Sequence, residues 1–189
     1  MSAPKKVLLV LAEGFEEIEA VTPIDVLRRA GLEVTVAGIG GTLVMGAHGL
    51  AFKADVDLAA YSGTPDAVVL PGGMPGATNL AASKSLAAIL QKTYDAGKLV
   101  AAICASPAVV LAPLGLLDGK KATCYPGFED RLGAKTERSA DRVVKAGNVI
   151  TSKGPGTALE FSMAIVTELA GKPAADQLTE GMILRGIRV

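Results

Sequence analysis

The sequence predicts an α/β fold with a mainly parallel sheet and helices on both faces. Short, continuously apolar runs such as Lys6–Leu11 are typical of strands that are buried on both sides. They alternate along the chain with longer segments whose apolar residues recur at helical spacing, such as Glu16–Ala30. Strands that alternate with helices in this way form parallel sheets covered by helices. We also predict that residues 1–189 form a single domain, because the chain has about the length of one.

The elements follow one another in a regular order. Continuous apolar or β-branched runs predict the strands Lys6–Leu11, Glu33–Gly38, Ala67–Leu70, Leu99–Ile103, Lys121–Cys124 and Asn148–Ser152. Helical periodicity predicts the helices Glu16–Ala30, Ser83–Ala96 and Ser106–Leu114. Thr157 and Glu160 have the spacing of a capping box, which predicts a further helix that runs to Ala170 and is stopped by Gly171. The glycine-rich segment 40–55 has short alternating pieces and predicts a small hairpin.

Composition limits the classes of function. Lys and Arg number 19, as do Asp and Glu, so the formal net charge is zero. A protein that grips nucleic acid or an anionic membrane needs a clustered positive field, and we expect neither partner here. Hydrophobic residues make up 50% and aromatic residues only 4%, which predicts a large aliphatic core.

Several features favour a cytoplasmic protein. The two cysteines are too few for a disulfide framework, which indicates a reducing compartment. The apolar run behind the basic start, Val7–Ala12, is shorter than a signal peptide needs, and acidic residues follow it. The longest uncharged stretch, Leu99–Leu117, contains two prolines and is better interpreted as a buried strand and helix than as a membrane span.

Three strand ends carry residues that could do chemistry. They are followed by the segments Glu13–Glu19, Pro71–Gly76 and Cys104–Pro107. Functional sites in open α/β sheets lie beyond the carboxyl ends of the strands. We therefore expect these three segments to converge.

Cys104 lies between the predicted strand Leu99–Ile103 and the predicted helix Ser106–Leu114, with almost no loop. A residue at such a junction occupies a sharp turn, like the nucleophile elbow of hydrolases. Pro107 fits a first helical turn, and a helix N-terminus favours a thiolate, so we predict a lowered pKa for Cys104. The alternative is an inert, buried cysteine that packs as a small apolar residue.

Gly72 and Gly73 follow the predicted strand Ala67–Leu70. Glycines let backbone N–H groups approach a ligand closely. One N–H of this pair, together with the N–H of Ala105, would form a two-donor oxyanion hole. On spacing alone an ordinary glycine turn is the stronger interpretation. The segment matches neither nucleotide-binding glycine motif, so no nucleotide is predicted.

Four glutamates, Glu13, Glu16, Glu17 and Glu19, open the first predicted helix. Acidic side chains complement the helix dipole there, and we expect most of them to be solvated. Glu16 and Glu19 share one face of the helix. A carboxyl buried against a thiolate would have a raised pKa and could donate a hydrogen bond to sulfur, a role that suits one of the four.

Two further residues are open to different interpretations. His48, the sole histidine, lies in the predicted hairpin, where a surface position is the more common role. Cys124 could act as a resolving thiol for Cys104, but a buried position in the core is the favoured interpretation. We predict no lowered pKa for Cys124. One histidine and two distant cysteines also argue against a zinc site.

Five segments, taken in order and spacing, resemble the ThiJ/PfpI superfamily, in the branch of the parkinsonism-associated deglycase (DJ-one). The resemblance covers nearly the whole chain. The segments are Glu13–Glu19, Ile24–Gly31, Val69–Gly73, Ala101–Pro107 and Thr151–Thr157. It implies a flavodoxin-like three-layer sandwich that usually forms a homodimer.

The resemblance also implies roles for individual residues. Cys104 would be the reactive cysteine, hydrogen-bonded to Glu19 and readily oxidised to a sulfinic acid. The backbone N–H groups of Gly73 and Ala105 would form an anion pocket. The other expected pocket residues are Gly72, Glu16, Tyr125 and Pro155.

Members of the superfamily have been assigned several activities. These are glyoxalase activity without a cofactor, repair of methylglyoxal-glycated protein or nucleotides, oxidative-stress sensing and chaperone action. The resemblance therefore implies a cysteine enzyme that converts 2-oxoaldehydes such as methylglyoxal to lactate, or acts on their glycation adducts, without cofactor or metal. The alternative is a redox-sensing protein or chaperone holdase with little turnover.

A few positions depart from related proteins. Tyr125 stands where the best-known member has a histidine beside the cysteine, and His48 stands where that member has an arginine. Glu19 must then carry more of the proton transfer. Protease-branch members place a histidine directly after the cysteine, where this chain has Ala105, so peptidase activity is not expected. Glutamine amidotransferases need a downstream His-x-Glu, and no histidine follows His48.

Overall fold

The structure is a computed structural model that describes residues 3–184. The helices are α1 (Glu17–Arg29), α2 (Gly76–Ala82), α3 (Lys84–Asp95), α4 (Ala158–Ala170) and α5 (Lys172–Gly181). The strands are β1 (Lys6–Leu11), β2 (Glu33–Gly38), β3 (Leu43–Met45), β4 (Ala51–Lys53), β5 (Val56–Asp57), β6 (Ala67–Leu70), β7 (Leu99–Ile103), β8 (Lys121–Ala122), β9 (Glu137–Arg138), β10 (Val143–Ala146) and β11 (Val149–Ser152). A π-helical segment covers Pro107–Leu111, and short 3-10 turns cover Leu58–Ala60, Glu129–Leu132 and Pro155–Thr157.

The main sheet has the strand order β10-β11-β7-β6-β1-β2-β5. Its strands are parallel except β10, which pairs antiparallel with β11. Ile103 at the end of β7 lies opposite Ser152 at the end of β11, and Leu70 lies opposite Ala102. The carboxyl ends of these strands therefore meet at one edge, and the residues that follow them converge there.

Helices cover the sheet as a flavodoxin-like α/β sandwich, as predicted. The helices α1, α4 and α5 pack in series against one another, whereas α2 contacts both α3 and the π-helical segment. The core consists mainly of Val, Leu, Ile and Ala, and its two large, fully buried aromatic residues are Phe15 and Phe161. No helix within residues 3–184 has the length and apolar character to cross a membrane.

Most predicted elements are present within one or two residues, but several were missed or wrong. The strand predicted over Lys121–Cys124 ends at Ala122 and pairs with β9 in a separate small sheet. The predicted hairpin is present as β3 and β4. The helices α2 and α5 and the strands β5, β9 and β10 were not predicted from the sequence.

Two helix predictions need correction. The helix predicted over Ser106–Leu114 is a π-helical segment that ends at Leu111. The predicted Thr157–Glu160 capping box does not form, because Thr157 Oγ1 bonds instead to Ser152 Oγ at 2.6 Å and to the Gly154 carbonyl at 2.8 Å. The Glu160 carboxylate accepts hydrogen bonds from Arg142 Nε at 2.8 and 3.0 Å. The predicted end of that helix is confirmed, since Gly171 has a φ of 86°.

Candidate active site

Cys104 has a strained backbone at the junction of β7 and the π-helical segment. Its φ is +65°, in the left-handed region that a residue with a side chain rarely occupies. The flanking hydrogen bonds hold this conformation, because Cys104 N–H donates to the Ser152 carbonyl at 2.9 Å and its own carbonyl accepts from Tyr125 N–H at 2.8 Å. Strain held by its surroundings is typical of functional sites. The structure therefore has the sharp turn that the sequence predicted.

Glu19, in the first turn of α1, is fully buried beside this turn. Its Oε2 accepts a hydrogen bond from Gly72 N–H at 2.8 Å. Its Oε1 is buried and has no hydrogen-bond partner among residues 3–184. A buried oxygen without a donor is costly as a carboxylate but is suited to carry a proton.

Gly72 separates the thiol from the carboxyl. A methyl group on Gly72 would lie 2.5 Å from Cβ of Cys104, 3.0 Å from its Sγ and 2.8 Å from Oε2 of Glu19. The backbone N–H groups of Gly73 and Ala105 favour the thiolate form of Cys104 and act to lower its pKa. The Cys104 thiol thus has a carboxyl group beside it, and an oxyanion hole formed by Gly73 and Ala105 stays a prediction.

The two ionisable groups of this pair are electrostatically coupled. Burial raises the pKa of Glu19 from 4.5 to about 7, against the opposing effect of the Gly72 N–H. Burial, and then the charge of Glu19, raise the pKa of Cys104 to about 12, while the N–H groups of Gly73 and Ala105 act in the opposite direction. Because an ionised Glu19 repels a thiolate, the pair loses its first proton much more easily than its second.

The predicted lowering of the Cys104 pKa is therefore wrong, because burial and the neighbouring carboxylate both oppose ionisation of the thiol. The prediction relied on the N-terminus of a regular helix, whereas Pro107–Leu111 is a short π-helical segment. It also assumed a protonated carboxyl beside the thiolate, whereas the burial of Cys104 and the charge of an ionised Glu19 both raise the thiol pKa. Cys124 behaves as predicted, since burial raises its pKa to about 11.

Three of the other predicted pocket residues line one open groove. Glu16, Tyr125 and Pro155 form its walls together with Glu17 and three other residues, around a volume of about 540 Å³. The additional wall residues are Ile18, His48 and Leu50. Two of these wall residues are bonded to the thiol–carboxyl site through their backbones. Tyr125 N–H donates to the Cys104 carbonyl, and Glu16 N–H donates to the carbonyl of Gly72 at 3.0 Å.

Glu17 and His48 form a contact that the sequence analysis missed. His48 Nδ1 lies 2.9 Å from Oε2 of Glu17 and 3.3 Å from Oε2 of Glu16. Glu17 Oε1 also accepts the backbone N–H of His48 at 2.7 Å, which holds the β3–β4 hairpin against α1. Of the four glutamates that were expected to be mostly solvated, only Glu13 is exposed.

Glu16, Glu17 and His48 also form a group that offers three potential metal ligands within 4.8 Å of one another. No metal was predicted from the sequence, where these three residues lie in two separate segments. Glu17 and His48 already satisfy each other by a direct hydrogen bond. The charges of this group favour protonation of the imidazole, because Glu17 and then Glu16 raise the pKa of His48.

We expect Gly72→Ala to disrupt the site. The added methyl would overlap Cys104 and Glu19 at 2.5 to 3.0 Å, and overpacking of this kind costs about 1–3 kcal/mol in unfolding free energy. Gly156→Ala is the matched control, because a methyl there meets no atom within 4 Å. Denaturant unfolding of both variants measures the effect. Equal stability of the two variants would contradict the crowded geometry.

Replacing Glu19 with Gln should stabilise the protein at high pH. A raised carboxyl pKa contributes stability that is present below pH 4.5 and is lost as the pH rises through about 7. The amide oxygen of Gln can still accept the Gly72 N–H but cannot ionise. We expect Glu19→Gln to be more stable than the wild type by about 3 kcal/mol at pH 8 and by little at pH 4.5. A difference that is independent of pH would contradict the burial of an ionisable group.

The fold and the site define a class of protein: α/β sandwiches with a strained cysteine at a strand end beside a buried carboxyl group. Comparison with known proteins identifies the family. The DJ-1/PfpI family model matches residues 5–168. The chain belongs to the DJ-1/PfpI family.

Individual relatives agree with this assignment. The Parkinson disease protein 7 homolog of Danio rerio is 43% identical over 97% of this chain and 99% of its own length. The glutathione-independent glyoxalase DJR-1.2 of Caenorhabditis elegans is 37% identical over 97% of this chain and 99% of its own length. The solved structure of oxidized Toxoplasma gondii DJ-1 superposes with a TM-score of 0.92 at 43% identity, over 95% of this chain and 98% of that one. The chain spans less than half the length of two Arabidopsis thaliana DJ-1 homologs, 42% and 48%, at 42% and 43% identity.

Proposed function

We propose that this protein is a cofactor-independent enzyme that converts 2-oxoaldehydes such as methylglyoxal to 2-hydroxy acids such as lactate. The observation that carries the proposal is the buried Cys104–Glu19 pair, which holds a nucleophile and a proton carrier side by side around Gly72. The name of the Caenorhabditis elegans relative, a glutathione-independent glyoxalase, supports the same reaction type. The adducts that methylglyoxal forms with proteins or nucleotides are further candidate substrates, because they keep the two neighbouring oxygen-bearing carbons of methylglyoxal.

The reactive form has the proton on Glu19 and the negative charge on Cys104. The thiolate adds to the aldehyde carbon, which forms a C–S bond and converts the carbonyl oxygen to an alkoxide. The N–H groups of Gly73 and Ala105 stabilise this developing charge, and Glu19 donates its proton to it. The product of this first step is a hemithioacetal on Cys104.

Glu19 then acts as the base. Its carboxylate removes the proton from the carbon bonded to sulfur, and the resulting enediol takes a proton at the neighbouring carbon. This leaves a lactoyl thioester on Cys104. Water then adds to the thioester carbonyl, the C–S bond breaks, and its electron pair returns to sulfur. The overall reaction converts methylglyoxal and water to lactic acid and needs no oxidant or reductant.

We also propose that the protein acts as a homodimer. Large apolar side chains are exposed beside the groove, with exposed fractions of 54% for Ile18, 46% for Val21 and 64% for Leu50. Such a patch is typical of an interaction surface, and the family resemblance implies a homodimer. Sedimentation equilibrium measures the oligomeric state, and a strictly monomeric protein would contradict the proposal. The cytoplasmic location stays a prediction from composition.

Steady-state formation of lactate from methylglyoxal tests the proposed function. Lactate rather than loss of methylglyoxal must be measured, because any thiol or amine can trap the aldehyde without turnover. We expect many moles of lactate per mole of protein. No more than one equivalent would refute the enzyme and favour the redox-sensing or holdase alternative, in which Cys104 is a target of peroxide.

A further inference from the structure

The contact between His48 and Glu17 places an oriented imidazole at the groove. His48 Nδ1 lies 2.9 Å from Oε2 of Glu17, and the backbone N–H of the same residue donates to Oε1 of that carboxylate at 2.7 Å. The Glu17 side chain is only 8% exposed, whereas the His48 side chain is 68% exposed. A buried carboxylate thus fixes the position of an imidazole that remains accessible to solvent.

The ring nitrogen that remains available is Nε2. Within the part of the chain that the structure describes, the polar contacts of the ring are made by Nδ1, with Glu17 and Glu16. A carboxylate on Nδ1 selects the tautomer in which Nδ1 carries the proton and Nε2 is the base. The same arrangement orients the histidine of catalytic triads.

The groove that His48 lines is joined to the thiol–carboxyl site by backbone hydrogen bonds of two of its wall residues. Tyr125, on another wall of the groove, donates its backbone N–H to the Cys104 carbonyl at 2.8 Å. Glu16, which is 3.3 Å from His48 Nδ1, donates its backbone N–H to the carbonyl of Gly72. Two walls of the groove are therefore bonded directly to Cys104 and to Gly72, the residues around which the thioester would be held.

We propose that His48 is the general base for hydrolysis of the Cys104 thioester, with Glu17 as its positioning residue. This inference rests on the proposed function. Nε2 removes a proton from water as the water oxygen bonds to the thioester carbon. The C–S bond breaks, its electron pair returns to the Cys104 sulfur, and the exposed ring releases its proton to solvent. Glu19 is thereby left to the proton transfers that precede the thioester.

The charges around His48 set the pH dependence of this step. Glu17 and Glu16, at the start of α1, raise the pKa of His48. Tyr125 is the other residue with a titratable side chain that lines the groove. Only the neutral imidazole is a base, so hydrolysis should become faster as the pH rises through the pKa of His48. Because the chain has a single histidine, proton NMR reports that pKa without ambiguity.

The test compares His48→Gln with the wild type and with Lys53→Gln, an exposed substitution in the same hairpin. We expect His48→Gln to lower kcat for lactate about 10²-fold, the usual loss when a general base is removed. Peptide-resolved spectra of quenched samples should show an adduct with the mass of one methylglyoxal that accumulates on Cys104 in His48→Gln and not in Lys53→Gln. Hydroxylamine should release this adduct as lactohydroxamic acid, which a hemithioacetal of the same mass cannot give. The rate of adduct formation should be unchanged.

Two further outcomes separate this inference from the proposed function. Glu17→Gln should lower the NMR pKa of His48 and shift the rise of kcat to lower pH, which a purely structural role of Glu17 would not do. Normal turnover in His48→Gln, without accumulation of the adduct, would overturn the inference and leave the proposed function intact. A wild-type protein that forms neither adduct nor lactate would overturn both.

Discussion

Replacing Cys104 with Ser should reduce lactate formation to the level of the buffer. The serine hydroxyl does not ionise near neutral pH, and neither the Gly73 and Ala105 N–H groups nor Glu19 can make it a comparable nucleophile. Loss of the nucleophile in other covalent enzymes costs on the order of 10³-fold or more in kcat. Lactate release under saturating methylglyoxal measures the change directly.

Cys124→Ser is the matched control for this prediction. Cys124 is also a free, buried cysteine, 2% exposed, and it lies next to Tyr125 in the chain. A folded Cys124→Ser variant, checked by circular dichroism, should retain turnover. If both variants lost activity equally, the loss would reflect a general change in the protein rather than removal of the nucleophile.

Glu19→Gln should reduce turnover while it makes the protein more stable. The amide keeps the shape of the side chain and can accept the Gly72 N–H, but it cannot carry a proton between the two substrate carbons. Removal of a general acid–base group costs about 10²–10⁴-fold in rate. The opposite signs of the effects on activity and on stability distinguish a functional carboxyl group from one that only supports the fold.

Glu13→Gln is the control for that substitution. Glu13 belongs to the same acidic segment but is exposed, so its change to Gln should alter neither kcat nor the free energy of unfolding. Retention of wild-type turnover in Glu19→Gln would show that another group moves the proton and would contradict the mechanism.

The parallel sheet and the elbow could be predicted because their signals are local. A buried apolar run followed at once by Cys104 and Pro107 predicts a sharp turn whatever the rest of the chain does. The edge strand β10 was missed because Val143–Ala146 is short and contains a charged residue. The helices α2 and α5 were missed because their sequences begin with glycine or proline signals that also suit loops.

The pairing of side chains across the site could not be predicted from local pattern. Periodicity marks the four glutamates as a helix start but does not say which one is buried against Cys104. That choice came from the family resemblance, and the structure places Glu19 there. The contact between Glu17 and His48 joins residues 31 positions apart and depends on how the β3–β4 hairpin docks on α1. The pKa prediction for Cys104 failed because burial of the thiol and the charge of Glu19 outweigh the N–H groups that favour the thiolate.

Covalent catalysis by Cys104 can be observed by peptide-resolved mass spectrometry of the wild-type protein, quenched during turnover of methylglyoxal. We expect an adduct with the mass of one methylglyoxal on the Cys104 peptide, which forms and decays at least as fast as lactate is released. Lactate release without an adduct on Cys104, or with adducts confined to Cys124 and to lysines, would contradict it.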